Sequence, residues 1–107
     1  MADAPASLQL TVTEQEGETV LGAAGELDVN TAPELREQLA RLINEGTTTI
    51  VVDLAAVTFV DSTALSVLVS ALKRLRQAGG DLQLSSPTPS VRRVFEITGL
   101  TRLFTIR

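Results

Sequence analysis

Leu8, Leu10 and Val12 alternate with Gln9, Thr11 and Thr13, the two-residue period of a strand with one covered face. Glu14 to Glu18, with Gly17, predicts a turn, and Thr19 to Ala24 predicts a second strand; the short connection makes the pair a hairpin. Gly25-Glu26-Leu27-Asp28 leads out of it. From Thr31 the period becomes helical. Leu35, Leu39, Leu42 and Ile43 share a stripe while Arg36, Glu37 and Arg41 face away. Thr31 is placed to cap this helix, Pro33 is tolerated in the first turn, and Glu34 stands where a capping box needs it. Gly46 ends it.

Thr48 to Leu54 is apolar and β-branched without alternation, as in a central strand covered on both faces. Strand, helix and buried strand imply a right-handed parallel crossover. A second helix is predicted from about Ser62 to Ala78, stopped by Gly79-Gly80. Leu65, Leu68, Leu72 and Leu75 share its inner side with Ala64 and Ala71. Ser66, Ser70, Lys73 and Gln77 mark the opposite side, with Thr63 near it, Ser62 at its edge, and Val67 and Val69 flanking it as partly exposed residues. Asp81 to Ser85 reads as a fourth strand, parallel to the third. Pro87 to Ile97 reads as a short helix with Val91, Val94 and Phe95 turned inward. Gly99 closes it, and Thr101 to Ile106 is a last strand or a turn.

These elements predict an α/β fold. Its mixed sheet has four to five strands, an N-terminal hairpin plus parallel strands, and its helices pack mainly on one face. A chain of 107 residues has room for one core, so a single domain over 1–107 is expected, with the small polar residues 1–7 flexible.

Composition narrows the function. The chain is 44% hydrophobic but has only three Phe and no Trp or Tyr, so the core must be aliphatic. Few aromatics and a net charge of −4 disfavour both base stacking and phosphate-backbone binding, so no direct nucleic-acid partner is expected. The absence of Cys and His removes disulfides, the common zinc sets and any Ser-His-Asp triad; no cofactor or metal is expected. No apolar run approaches the roughly 20 residues of a membrane span, and the N-terminus has no signal-peptide pattern. A cytoplasmic monomer or weak dimer, without membrane contact, is the expectation.

The candidate chemistry lies in Asp61-Ser62-Thr63, between a strand and the longest helix. One reading is a helix cap, worth about 1 kcal/mol. The other is functional, since ligands of open α/β sheets gather at the C-terminal ends of strands. Ser62 as an enzyme's nucleophile lacks an activating base, with no His in the chain and no Lys nearby in sequence. An enzyme is therefore not expected.

Thr58-Phe59-Val60-Asp61-Ser62-Thr63-Ala64-Leu65 resembles the phosphorylation motif of STAS domains, specifically bacterial anti-sigma factor antagonists. Gly25-Glu26-Leu27-Asp28 is similar to that family's second motif, and Val91-Arg92-Arg93-Val94-Phe95-Glu96-Ile97-Thr98-Gly99-Leu100 to its C-terminal signature. The three occur in family order and span roughly residues 8 to 106. The resemblance implies a switch in which Ser62 is phosphorylated by a partner that is both anti-sigma factor and serine kinase. The unphosphorylated form binds that partner and frees a sigma factor, and a metal-dependent serine phosphatase resets it. Thr63 is the alternative acceptor. Ala64 stands where many relatives have Gly, which leaves the acceptor hydroxyl untouched.

The partner-binding set expected on this basis is Asp28, Asp61, Ser62, Thr63, Ser66, Val69, Ser70 and Lys73. Asp28 also has a plain reading as a turn residue. Asp53 is either an acceptor that orients the switch or the point where the strand meets water. Lys73, Arg74 and Arg76 complement a helix dipole, and Arg92 and Arg93 can pair with carboxylates. A competing reading keeps the fold but makes the protein a small-ligand-binding domain, a stress-signalling scaffold or a transport-associated module.

Overall fold

The computed structural model describes residues 8–107; the flexibility expected of residues 1–7 lies outside the described residues. The strands are β1 (Leu8–Gln15), β2 (Glu18–Leu27), β3 (Thr49–Val60), β4 (Asp81–Ser85) and β5 (Thr105–Ile106), and the helices are α1 (Ala32–Asn44), α2 (Ser62–Gln77) and α3 (Pro89–Ile97). The strands form one sheet in the order β1-β2-β3-β4-β5. β1 and β2 are antiparallel, as the hairpin pattern predicts. β2, β3, β4 and β5 run parallel. The undecided Thr101–Ile106 stretch supplies both alternatives: a 3-10 turn over Leu100–Arg102, then the two residues of β5.

One continuous aliphatic core joins Leu21 and Leu27 of β2, Ile50, Val52, Leu54, Val57 and Val60 of β3, and Leu82 and Leu84 of β4 to the inner faces of all three helices. The helices thus cover one face of the sheet. Phe95 of α3 meets Phe104 edge-to-face, with ring centroids 5.8 Å apart, a favoured geometry for aromatic pairs.

β3 is longer than its apolar run suggests, extending past Leu54 to Val60. Two irregularities in its pairing with β2 explain this. Asp53 pairs with Gly22 but Ala56 with Ala24, and Val57 pairs with Gly25 but Phe59 with Glu26. Each step leaves one extra residue on β3. Such bulges bend a strand and reset which side chains face inward. As a result Leu54, Val57 and Val60, three residues apart, all point into the core, and the period-2 signal disappears. Gly25, with φ of +118°, supplies a backbone conformation at the second bulge that other residues rarely adopt.

Coverage of β3 on both faces is corrected: among the described residues no helix packs on its second face. Val51 lies outside the main core yet is buried there. It pairs with Val20 and Gln83, and Arg107 crosses above β3 to reach both flanking strands. The guanidinium donates to Gln83 Oε1 on β4 (2.7 and 3.0 Å) and to Glu18 Oε1 on β2 (3.0 Å), with a further contact to Glu18 Oε2. Hydrogen bonding to Arg107, then its charge, holds the Glu18 carboxyl below its ordinary range.

Asp53 is also corrected. It sits in mid-strand, paired with Gly22 and Ser85, and its carboxylate accepts from Ala55 N (3.0 Å), eight residues before Asp61. Val67 proves buried rather than partly exposed, because α1 packs against that flank of α2; Val67 and Leu39 line the same crevice. At the far end of α2, Arg76 donates to Leu103 O (2.8 Å) and Asp81 Oδ1 (3.2 Å), tying the helix to β4 and the C-terminal turn.

Candidate functional site

β2 and β3 both end at Leu27 and Val60, which are paired neighbours. The chain leaves each strand at the same edge of the sheet, so the loop before α1 and the turn before α2 lie side by side. Asp61 N donates to Leu27 O (3.0 Å). Asp61 is the N-cap of α2, and its two carboxylate oxygens divide the work: Oδ1 accepts from Ala64 N (3.1 Å) and Oδ2 from Val29 N (3.0 Å). One side chain thus closes the helix and stitches on the neighbouring loop.

That loop is internally braced. Asp28 Oδ1 accepts from Asn30 N (2.9 Å) and Thr31 N (3.0 Å). The buried Thr31 hydroxyl donates to Glu26 O (2.8 Å) and accepts from Asp28 N (2.9 Å). The expected capping box at α1 is therefore not made: Thr31 forms no side-chain cap, because its hydroxyl is spent on the two backbone groups that fold the loop. The Asp28 carboxylate is bonded within its own loop, which lies next to the start of α2.

Ser62 is the first helical residue of α2, and its side chain is exposed. Thr63, which the helical projection places nearer the centre of the polar stripe, is only half-exposed. From Ser62 an outward stripe runs through Ser66, Val69, Ser70 and Lys73. Ser66, Ser70 and Lys73 are exposed, while Val69 is half-buried and packed on the core. Ser66 Oγ donates to Ser62 O (3.0 Å), tying that hydroxyl into the helix. Arg92 pairs with Glu96 one turn on (3.6 Å), and Arg93 is exposed; both lie on α3.

Four residues at this end have no individual role in the sequence analysis, although Phe59, Thr98 and Leu100 stand inside its motifs. Val29 is 61% and Phe59 49% exposed, an unusual amount of apolar surface to leave wet beside a loop junction. Thr98 and Leu100, at the end of α3, form one wall of a groove whose other wall is α2. Phe59 carried a signal: two of the three Phe make the core pair, and the third stands instead inside the Thr58–Leu65 motif.

A family model described as STAS domain matches residues 9–107. This chain belongs to the STAS domain family. It is 39% identical over 97 residues to a protein named anti-sigma-B factor antagonist from Staphylococcus aureus, covering 91% of this chain and 90% of that protein. Among solved structures, an anti-sigma factor antagonist from Mycobacterium paratuberculosis superposes with a TM-score of 0.86 at 30% identity, covering 98% of this STAS domain and 89% of that chain. The phosphorylated form of the Bacillus cell fate determinant SpoIIAA superposes at 0.70 with 26% identity, covering 94% and 90% respectively. The five-stranded sheet with helices on one face is thus the STAS fold. No helix among the described residues is long and apolar enough to cross a membrane.

Proposed function

We propose that this STAS domain is an anti-sigma factor antagonist, a single domain over residues 1–107 switched by phosphorylation at Ser62. The unphosphorylated form binds an anti-sigma factor that is also a serine kinase, and so releases the sigma factor. Phosphate on Ser62 ends that binding, and a serine phosphatase restores it. The protein is the kinase's substrate and binding partner, not a catalyst, and works in the cytoplasm.

The observation that carries this reading is the exposed Ser62 hydroxyl at the first position of α2, beside an Asp61 whose two oxygens are both engaged. A kinase can reach the hydroxyl without unfolding the helix. Phosphorylation adds roughly −1.5 to −2 charges at the helix end where free N–H groups and the dipole tolerate them. The turn is fixed by the Asp61 bonds, so the added charge and bulk act on the docking surface rather than on the fold. Asp28 and Asp61 frame that surface, and Thr63, Ser66, Val69, Ser70 and Lys73 extend it.

The test is intact-mass analysis after incubation with ATP and the serine-kinase anti-sigma factors of its own genome, on wild type, Ser62→Ala and Thr63→Ala. One phosphate on wild type and Thr63→Ala, and none on Ser62→Ala, is expected. Phosphate retained on Ser62→Ala and lost on Thr63→Ala moves the switch to Thr63. No phosphate on any of the three overturns it.

A further inference from the structure

A groove of about 430 Å³ opens beside Ser62, between α2 and the turn that follows α3. Ser62, Leu65, Ser66, Val69 and Ser70 form one wall, and Thr98 and Leu100 the other. Among the described residues no charged side chain lines it. Two of its hydroxyls are already spent on backbone, Ser66 Oγ on Ser62 O (3.0 Å) and Thr98 Oγ1 on Val94 O (2.8 Å). What remains is mainly aliphatic surface with the hydroxyls of Ser62 and Ser70, and no charged group among the described residues to orient a small molecule. Sites for free ligands combine such a floor with placed polar partners; this one has the floor.

We infer that the groove is an anchor site for one aliphatic or aromatic side chain of the anti-sigma factor kinase, and that Thr98 and Leu100 help select which kinase is bound. The inference rests on the switch reading above. The occupant follows from position: Ser62 is itself part of the wall, so a kinase that brings ATP to this hydroxyl must lie across the opening. Buried apolar anchors at the centre of an interface carry most of its affinity, and an uncharged recess adjoining the reacting group suits one.

The same geometry accounts for release. Phosphorylated Ser62 places a strongly hydrated dianion on the rim of an apolar recess. Seating a partner's side chain would then strip water from the phosphate without offering it a counter-charge. Binding is lost without any movement of the helix.

Thr98 is exposed and its hydroxyl meets only α3 backbone, so Thr98→Arg fills the groove with little effect on the core. Leu100→Ala enlarges it instead. Affinity for the kinase that phosphorylates Ser62 is measured by calorimetry in the presence of ADP, with KM and kcat for phosphorylation of each variant and its melting temperature. Gln9→Arg on the open face of the sheet is the control. Thr98→Arg is expected to weaken binding at least tenfold and raise KM with kcat nearly unchanged. Leu100→Ala is expected to weaken binding several-fold, and the control to match wild type. Variants that fold and bind within twofold of wild type overturn the groove alone. Wild type that neither binds nor accepts phosphate overturns the switch, and the groove with it.

Discussion

Asp61→Ala removes two bonds with one substitution, and its cost can be worked from the geometry. The Oδ1 bond to Ala64 N (3.1 Å) is a helix cap, whose loss to alanine costs typically about 1 kcal/mol. The Oδ2 bond to Val29 N (3.0 Å) joins loops 32 residues apart; a bond to a charged acceptor contributes about 1.5 kcal/mol at the lower end, fitting its partly wet setting. The sum is roughly 2–2.5 kcal/mol, or on the order of 10 °C in melting temperature for a domain of about 100 residues. Asp61→Asn keeps one acceptor oxygen for two N–H groups, so it should lose about half as much. Thermal and urea unfolding followed by circular dichroism measure both, and amide exchange reports on Val29 directly. If Asp61→Ala melts within 2 °C of wild type and the Val29 amide exchanges no faster, Asp61 does not hold the two loops together.

Other consequences can be checked separately. Thr31→Val keeps the shape but strands Asp28 N and Glu26 O around a buried site, which should cost about 1–3 kcal/mol in urea unfolding; an unchanged midpoint would contradict the hub role of this hydroxyl. A Cβ on Gly80 would lie 1.7 Å from Thr48 O, so Gly80→Ala must push β3 and the start of β4 apart, and a melting temperature equal to wild type would refute that close approach. Because the Glu18 carboxyl is held below its ordinary range in the folded state, its contribution is complete above the ordinary glutamate range and fades as pH falls through the lowered value. The stability gap between wild type and Glu18→Gln should therefore shrink on acidification, whereas a gap independent of pH would count against the Arg107 clamp. Val69→Asp should weaken kinase binding at least tenfold and, since Val69 is half-buried, lower stability by roughly 1 kcal/mol; gross unfolding would place Val69 in the core.

The sequence pattern carried the order of elements, the hairpin, the parallel crossovers and the start of α2, because each rests on local periodicity and turn chemistry. It misread what depends on neighbours. β3 seemed to end at Leu54 since two bulges against β2 replace alternation by a three-residue spacing. Val67 looked partly exposed because no helical projection of α2 reveals that α1 covers that flank. Thr31 looked like a cap because the residue type fits, while its hydroxyl is claimed by a loop that only the folded chain assembles. At the site, the motif located Asp61 and Ser62. The second job of Asp61, on Val29 N, needs two strands to end side by side, and the wall made by Thr98 and Leu100 arrives from the far end of the chain.

The most direct test of the account is displacement of a sigma factor from its complex with the kinase, using wild type in its unphosphorylated and Ser62-phosphorylated forms at equal concentration. The unphosphorylated protein should release the sigma factor and the phosphorylated one should not, while both give the same circular dichroism spectrum. Equal release by the two forms, or a refolded α2 in the phosphorylated one, would contradict a switch that acts through charge and bulk at a fixed surface.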